Sequence, residues 1–432
     1  MHEHWFNDWR EFKETRLLTP ENYEENIARF KRYSKRATGR ALRLQVSKPL
    51  SRVGQLGDMV QGKEPKDFYF RSGADVLDAL AEKLVMVEAG YLLGEGINPK
   101  GINPLEHIAA TTTSAGMAAI YAVAMELVRH MPIKERKGKR FLQGKTVYTH
   151  TNNVLGERMQ EMGLEAAIKI DTTQPENVES ALRENRGSIV GIFYEPVTNP
   201  LIGYTDTRAI HQIAKEYGIP IIVDNTFLTP YLQQPFRMGT DIVVHSMTKY
   251  MNGEGDMLGG AVIGPKEFIK SLRGWQTTTG CVIQSPSLAL SLFDRVARLS
   301  ERMEIHVENA EQIAHYLQNS KYVEHVYHLD LGENTRNGSS GAVVSFVMNG
   351  KDEDEKIRRE AALMQYLIDN QGTILYQVSL GDKEHLMIGE TTLGTGKSEL
   401  PVGLIRFAVG REPEASEVIK FLNKAFEHVY KN

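Results

Sequence analysis

The stretch that decides the fold runs from Ile219 to Tyr250: IPIIVDNTFLTPYLQQPFRMGTDIVVHSMTKY. It holds two short apolar runs rich in Ile and Val, residues 219–224 and 241–246. Each is too short for a helix and reads as a strand covered on both faces. Upstream, SIVGIFY (188–194) and TVYTH (146–150) read as two more strands. Helical patterns lie between them, such as RAIHQIAKEYG (208–218), closed by glycine. Strands alternating with helices imply parallel βαβ units and a doubly wound sheet.

In such sheets, ligands gather beyond the carboxyl ends of the strands. Those ends carry Asp224-Asn225-Thr226, Ser246-Met247-Thr248-Lys249, and Glu195 followed by Asn199-Pro200. A lysine shielded at this edge can offer a neutral amine to an aldehyde, because burial disfavours the ammonium. An aspartate beside it can pair with a pyridinium nitrogen. The competing reading of a lysine after a strand is a solvated cap. A second signal is Thr111-Thr-Thr-Ser114-Ala-Gly116-Met117, which leads into a helix over 115–130. The free N–H groups of a helix start make an anion site. An ordinary Ser/Thr N-cap is the alternative there.

Outward from this centre, DVLDALAEKLVMVEAG (75–90) has helical spacing and closes on glycine. The following LLGEGINPKGINP (92–104) reads as a loop. Residues 1–65 are polar and read as a helical arm and loop, with Gly54, Gly57 and Gly62 breaking the end. From 286 the pattern changes to one long helix ending at YLQ (316–318), then shorter strands in GAVVSFVM (341–348) and LIRFAVG (404–410), and a last helix over 413–430. The expected organisation is an arm (1–65), an α/β domain (66–285) and a C-terminal α+β domain (286–432).

The 432 residues are 41% hydrophobic and 25% charged with a net charge of −4, ordinary for a soluble globular chain. No electrostatic footprint for nucleic acid stands out, and the basic run Lys134 to Arg140 reads as a solvated turn. No apolar run is long enough for a membrane span. The charged N-terminal stretch has no apolar core of a secretory signal. A single cysteine, Cys281, excludes an intrachain disulfide framework and a cysteine-rich metal site, and a cytoplasmic location is expected. No metal is expected. Cys281 and the methionines of residues 295–310 read as packing, and Gly253 to Gly260 as a turn rather than a dinucleotide fingerprint.

The run Asp224-Asn-Thr-Phe-Leu-Thr-Pro through His245-Ser246-Met-Thr248-Lys249-Tyr250 resembles the signature of the Cys/Met-metabolism (trans-sulfuration) enzymes, which depend on pyridoxal 5′-phosphate (PLP). The likeness extends from about Tyr69 to Gly410. It implies the PLP-dependent transferase fold (aspartate-aminotransferase-like, fold type I), a mostly parallel doubly wound sheet plus a smaller C-terminal α+β domain. It also implies a homotetramer of paired subunits that share active sites.

Carried over residue by residue, Lys249 resembles the Schiff-base lysine and Asp224 the pyridinium partner. Ser246 and Thr248 resemble hydroxyl ligands of the phosphate, and Gly116 and Met117 its backbone cup. Asn199 resembles the asparagine near the phenolic oxygen and the substrate carboxylate. Tyr69 and Arg71 resemble the Y-S-R pair that reaches the neighbouring subunit's phosphate. Arg406, in Gly403-Leu-Ile-Arg406-Phe-Ala-Val-Gly410, resembles the arginine that grips the substrate α-carboxylate with a planar fork. Ser379 resembles the serine beside the reactive lysine.

The chain departs from the family in places. The Y-G-G-T segment, source of a ring-stacking tyrosine, is replaced by Tyr148-Thr-His150-Thr-Asn152-Asn153, so Tyr148, His150 and Asn153 are all candidates for its place. Ala74-Asp75-Val76 replaces N-P-T, Gly389-Glu-Thr-Thr-Leu-Gly-Thr395 replaces H-P-x-x-x-T-H, and an insertion occupies about 91–106. Cystathionine-handling members typically carry glutamate before S-L-G, whereas this chain has Val378, and the run through Asp382 reads most like methionine γ-lyase. The resemblance therefore implies γ-elimination from a sulfur amino acid or other γ-substituted homoserine, giving 2-oxobutanoate, ammonia and the leaving group. The alternatives are γ-replacement on an activated homoserine and a PLP-binding protein without turnover. Retention of Lys249 and Arg406 argues against the last.

Overall fold

A computed structural model describes residues 3–14, 47, 51–53, 55–60, 69–92, 102–389 and 400–431. Gly54 and Gly62 of the expected arm, most of the insertion, and residues 390–395 lie outside the described residues.

Seven strands form the larger sheet: β1 (Ile108–Thr113), β2 (Arg140–Gly144), β3 (Ile168–Ile170), β4 (Ile189–Tyr194), β5 (Ile221–Asp224), β6 (Ile242–Ser246) and β7 (Gly260–Pro265). Their order is β1-β7-β6-β5-β4-β2-β3. The pairs from β3 across to β6 are parallel, and β7 runs antiparallel to both β6 and β1. Every residue of β4 and β5 is buried, as a parallel strand covered by helices on both faces requires. The register carries the ends of several strands to one edge. Asp224 lies beside Val244, while Gly260 at the start of β7 lies beside Ser246 on one side and Thr113 on the other. The starts of the segments that follow β1, β4, β5 and β6 therefore share one rim.

Two expected elements differ. TVYTH does not form a strand: β2 is the preceding RFLQG, the chain turns at Lys145–Thr146, and Thr149–Asn153 is helical. The charged start of RFLQG hid a strand whose last four residues are buried. The long helix from 286 is two helices, Pro286–Ala297 and Leu299–Gln318, parted at Arg298 where φ falls to −105° and ψ rises to 12°. Ser285 caps the first of these, its side chain accepting from Leu288 N–H.

The smaller sheet holds β8 (Val323–Tyr327), β9 (Val343–Met348), β10 (Ile374–Tyr376), β11 (His385–Gly389) and β12 (Leu404–Ala408), in the order β10-β11-β12-β9-β8. Helices Leu299–Gln318 and Glu353–Asp369 pack on it, with Ala415–Lys431 against both. Phe346, Phe407 and Phe426 are fully buried there, each worth about 1.5–3 kcal/mol of transfer free energy.

At the amino end, helix Glu3–Phe12 buries Trp5, Phe6, Trp9 and Phe12. Trp9 Nε1 donates to Asp241 Oδ1 at 3.0 Å and Lys13 Nζ to the same oxygen at 2.6 Å, anchoring the helix beneath the start of β6. The basic run after Lys134 is only partly solvated. Arg136 is buried and donates to the carbonyls of Arg129, Met131 and Met162. Met303 is buried, as packing requires. Among the described residues no helix is long and apolar enough to cross a membrane.

Candidate active site

β6 ends at Ser246 and the chain turns at once. Lys249 N–H donates to Ser246 O at 3.2 Å, and the N–H groups of Asn252 and Gly253 donate to Lys249 O at 3.0 and 2.9 Å. Thr248 locks this turn to the next strand: its Oγ1 accepts from Gly259 N–H at 3.1 Å and its N–H donates to Gly259 O at 3.2 Å. Arg302 of the long C-terminal helix donates to the carbonyls of Tyr250 and Met251 at 2.9 and 2.8 Å. From the loop between β10 and β11, Gly381 presses on the same turn. A Cβ there would stand 2.5 Å from Tyr250 N, and φ is +82°, so glycine is required twice over.

Lys249 Nζ donates to Ser379 Oγ at 2.7 Å. Ser379 has φ of 101°, unusual for any residue but glycine. That backbone aims its hydroxyl at Lys249, while its carbonyl accepts from Arg406 Nη2 at 3.3 Å. Burial lowers the pKa of Lys249 below the ordinary lysine value, the charge of Asp382 opposes this, and Arg406 reinforces it. A buried amine of this kind is the one that can be neutral when it reacts.

Facing Lys249 is a cleft of about 210 Å³. Gly116, Met117, Asn199, Asp224, Ser246, Thr248 and Lys249 all line it, so seven residues singled out from the sequence meet there. Helix Gly116–Arg129 opens into it, and no side chain caps its N-terminus: Ala115 holds the cap position. The Ser/Thr capping alternative is thus not what this helix does. A Cβ on Gly116 would stand 2.6 Å from Ser246 Cβ, so the helix start approaches Ser246 as only glycine allows. Asp224 is buried, which pushes its carboxyl up, while the Thr226 hydroxyl and His245 pull it down. Thr226 Oγ1 donates to Asp224 at 2.5 Å and accepts from Ser246 N–H at 2.8 Å. An uncapped helix start beside hydroxyls fits a phosphate, a buried aspartate fits a ring N–H⁺, and a neutral lysine fits an aldehyde. These three demands are those of PLP.

Residues 99–427 match the family described as Cys/Met metabolism PLP-dependent enzyme. The chain belongs to that family. It is 31% identical over 376 residues to an L-methionine gamma-lyase of Porphyromonas gingivalis, spanning 83% of this chain and 85% of that one. A cystathionine gamma-lyase of Bacillus subtilis is 30% identical over 397 residues, 89% of this chain and 95% of that one. A cystathionine gamma synthase of Xanthomonas oryzae pv. oryzae, solved in complex with cystathionine, superposes with a TM-score of 0.75 at 25% identity, covering 96% of this chain and 100% of that one. The protein is thus a PLP-dependent enzyme of fold type I. By name these relatives include both γ-lyases and a γ-synthase, so membership fixes the cofactor and leaves the particular reaction to the residues around it.

Within this family member, Tyr69 and Arg71 stand outside the cleft of their own chain. Arg71 Nε donates to Thr277 O at 2.8 Å and its guanidinium lies 5.1 Å from the Tyr69 ring. Of the three candidates for the stacking position, Tyr148 lines the cleft, His150 packs edge-on against it at 5.4 Å, and Asn153 donates to Glu157. Two residues of the site are named in the sequence but were given no role there. Glu195 lines the cleft and accepts from Tyr148 N–H at 2.6 Å; its place directly after β4 was the available signal. Asp382 is buried close enough to Lys249 for each to shift the other, through a loop that no local pattern joins to β6.

Proposed function

We propose that this enzyme catalyses γ-elimination from a small γ-substituted amino acid such as methionine, releasing 2-oxobutanoate, ammonia and a thiol. The observation that carries this reading is Val378, an apolar and exposed residue adjoining Ser379, which in turn holds Lys249. A valine offers no partner to the distal ammonium of cystathionine, which would lose solvation without compensation. It tolerates a short thioether.

The chain's own groups divide the work. Arg406, tied to Ser379 O, would present its fork to the α-carboxylate, and Asn199 lines the cleft where it could assist. Gly116, Met117, Ser246 and Thr248 would hold the phosphate, and Asp224 the ring nitrogen. Bound PLP supplies an electron sink that makes loss of the Cα proton feasible. Lys249 would take that proton and pass it on, with Ser379 Oγ keeping Nζ in place between transfers. Tyr69 and Arg71 would serve the neighbouring subunit of a homotetramer, and a chain with one cysteine suits the reducing cytoplasm.

The test is a product assay across a panel of γ-substituted amino acids. We expect 2-oxobutanoate and ammonia from methionine or a similarly small substrate, with cystathionine clearly slower. If no member of the panel gives 2-oxobutanoate, yet O-acylhomoserine with added thiol gives a new thioether, the enzyme is a γ-replacement catalyst and the reading is wrong.

A further inference from the structure

β2 and β4 lie side by side and parallel, with Gln143 beside Phe193, so their carboxyl ends open on the same rim. Glu195 directly follows β4, Tyr148 follows the turn after β2, and the two meet across that rim. Glu195 Oε1 accepts from the backbone N–H of Tyr148 at 2.6 Å. Both residues line the cleft, and the reaction as described uses neither. Glu195 is buried, and a carboxylate removed from water carries a desolvation cost that a neutral acceptor would not. What the charge adds is a short, strong and well-aligned bond. The rest of the segment is held too. Thr151 N–H donates to Tyr148 O at 2.9 Å, and the buried Gln143 donates from Nε2 to Asn152 Oδ1 at 2.5 Å. The His150 ring stands edge-on to the Tyr148 ring at 5.4 Å. Fixed at both its N–H and its carbonyl, Tyr148 keeps only its side-chain torsions, and it is 47% exposed at the cleft wall.

We propose that Glu195 is a positioning residue: by holding the backbone of Tyr148, it sets the Tyr148 ring against the cofactor. The proposal rests on the reading that PLP occupies this cleft beside Lys249. Contact between two aromatic rings depends on their offset and tilt, so a small displacement of residue 148 is felt at the cofactor. Glu195 acts on that contact at one remove. Its own place is secured on both sides. Every residue of β4 before it is buried, and just after it Thr205 N–H donates to Pro196 O at 2.8 Å. The same loop carries Asn199 into the cleft. Glu195 therefore ties the wall that bears Asn199 to the wall that bears Tyr148.

The test measures the affinity of the apoprotein for PLP and the circular dichroism induced in the bound cofactor, which reports the surroundings of its ring. Tyr148→Ala should weaken PLP binding roughly twofold to tenfold and diminish the dichroism. Glu195→Ala should change both in the same direction, by an equal or smaller factor. Glu195→Asp should follow it, because the shorter side chain withdraws the acceptor. Glu195→Gln keeps an acceptor at the same reach and should stay near wild type. If Glu195→Ala fails to fold, Glu195→Asp and Glu195→Gln still carry the comparison. The decisive protein joins Glu195→Asp to Tyr148→Ala. It should bind PLP no more weakly than Tyr148→Ala alone, since the ring that Glu195 positions is gone. Additive losses would mean that Glu195 acts on the cofactor directly, and would overturn the proposal. Affinity and dichroism unchanged in Glu195→Asp, with only a lower melting temperature, would reduce the residue to packing and overturn it as well. PLP whose absorbance and dichroism are the same in Lys249→Ala as in wild type would instead place the cofactor elsewhere, overturning the reading of the cleft and this proposal with it.

Discussion

Lys249 sits where two influences compete. Burial and Arg406 favour its neutral amine, and Asp382 favours its ammonium. The neutral amine is the form that attacks the cofactor aldehyde, so capture of PLP by the apoprotein should accelerate with rising pH. Its midpoint should fall below the ordinary lysine value of 10.5. In Asp382→Asn the opposing charge is gone, the amine deprotonates earlier, and the midpoint should move lower by about one further unit. Stopped-flow capture rates against pH check both; a midpoint that rises in Asp382→Asn would contradict the assigned charge balance. At this scale the sequence was most informative where chemistry is local. Asp224, Ser246, Thr248 and Lys249 are legible because each directly ends or follows an apolar strand. Ser379 could be named only through the family likeness, and its left-handed backbone had no sequence signal. Asp382 acts across 133 positions, a distance over which no periodicity speaks.

Among the elements, helix Gly116–Arg129 does the most with the least. Its first residue has no side chain because Ser246 occupies the space, and its start has no cap. Gly116→Ala would push the helix start away from β6 at a cost typical of overpacking, about 1–3 kcal/mol. The affinity for PLP should fall on the order of tenfold to hundredfold while the melting of the apoprotein changes little, as calorimetry and cofactor titration would read. An unchanged affinity would remove this helix from the phosphate site. The strands that position the site were legible because β4, β5 and β6 each open with an Ile/Val-rich apolar run. β2 was not, since it begins with arginine and its partner-facing residues include a buried glutamine, Gln143. TVYTH alternates like a strand, yet only Val147 is buried among Thr146, Val147 and Tyr148, and the chain turns there instead. The break at Arg298 lies inside an uninterrupted helical pattern, and just beyond it Arg302 donates back to Arg295 O and across to Tyr250 O of the lysine turn, a long-range contact that no local pattern announces.

The molecule as a whole gathers its cleft from the rim of the larger sheet and from Leu380, in the loop between β10 and β11, but leaves Tyr69 and Arg71 outside it. If these serve a neighbour, an Arg71→Ala subunit mixed with a Lys249→Ala subunit should regain part of the lost activity, because a mixed pair contains one site with both defects and one with neither. Subunit exchange without recovery would return both residues to their own chain. Every element of the account converges on one lysine, and borohydride reduction of the PLP-loaded protein followed by peptide mass mapping interrogates all of the chain's lysines together. The account predicts a single reduced pyridoxyl adduct on Lys249, absent from Lys249→Ala. An adduct on any other lysine of the wild-type protein would contradict it.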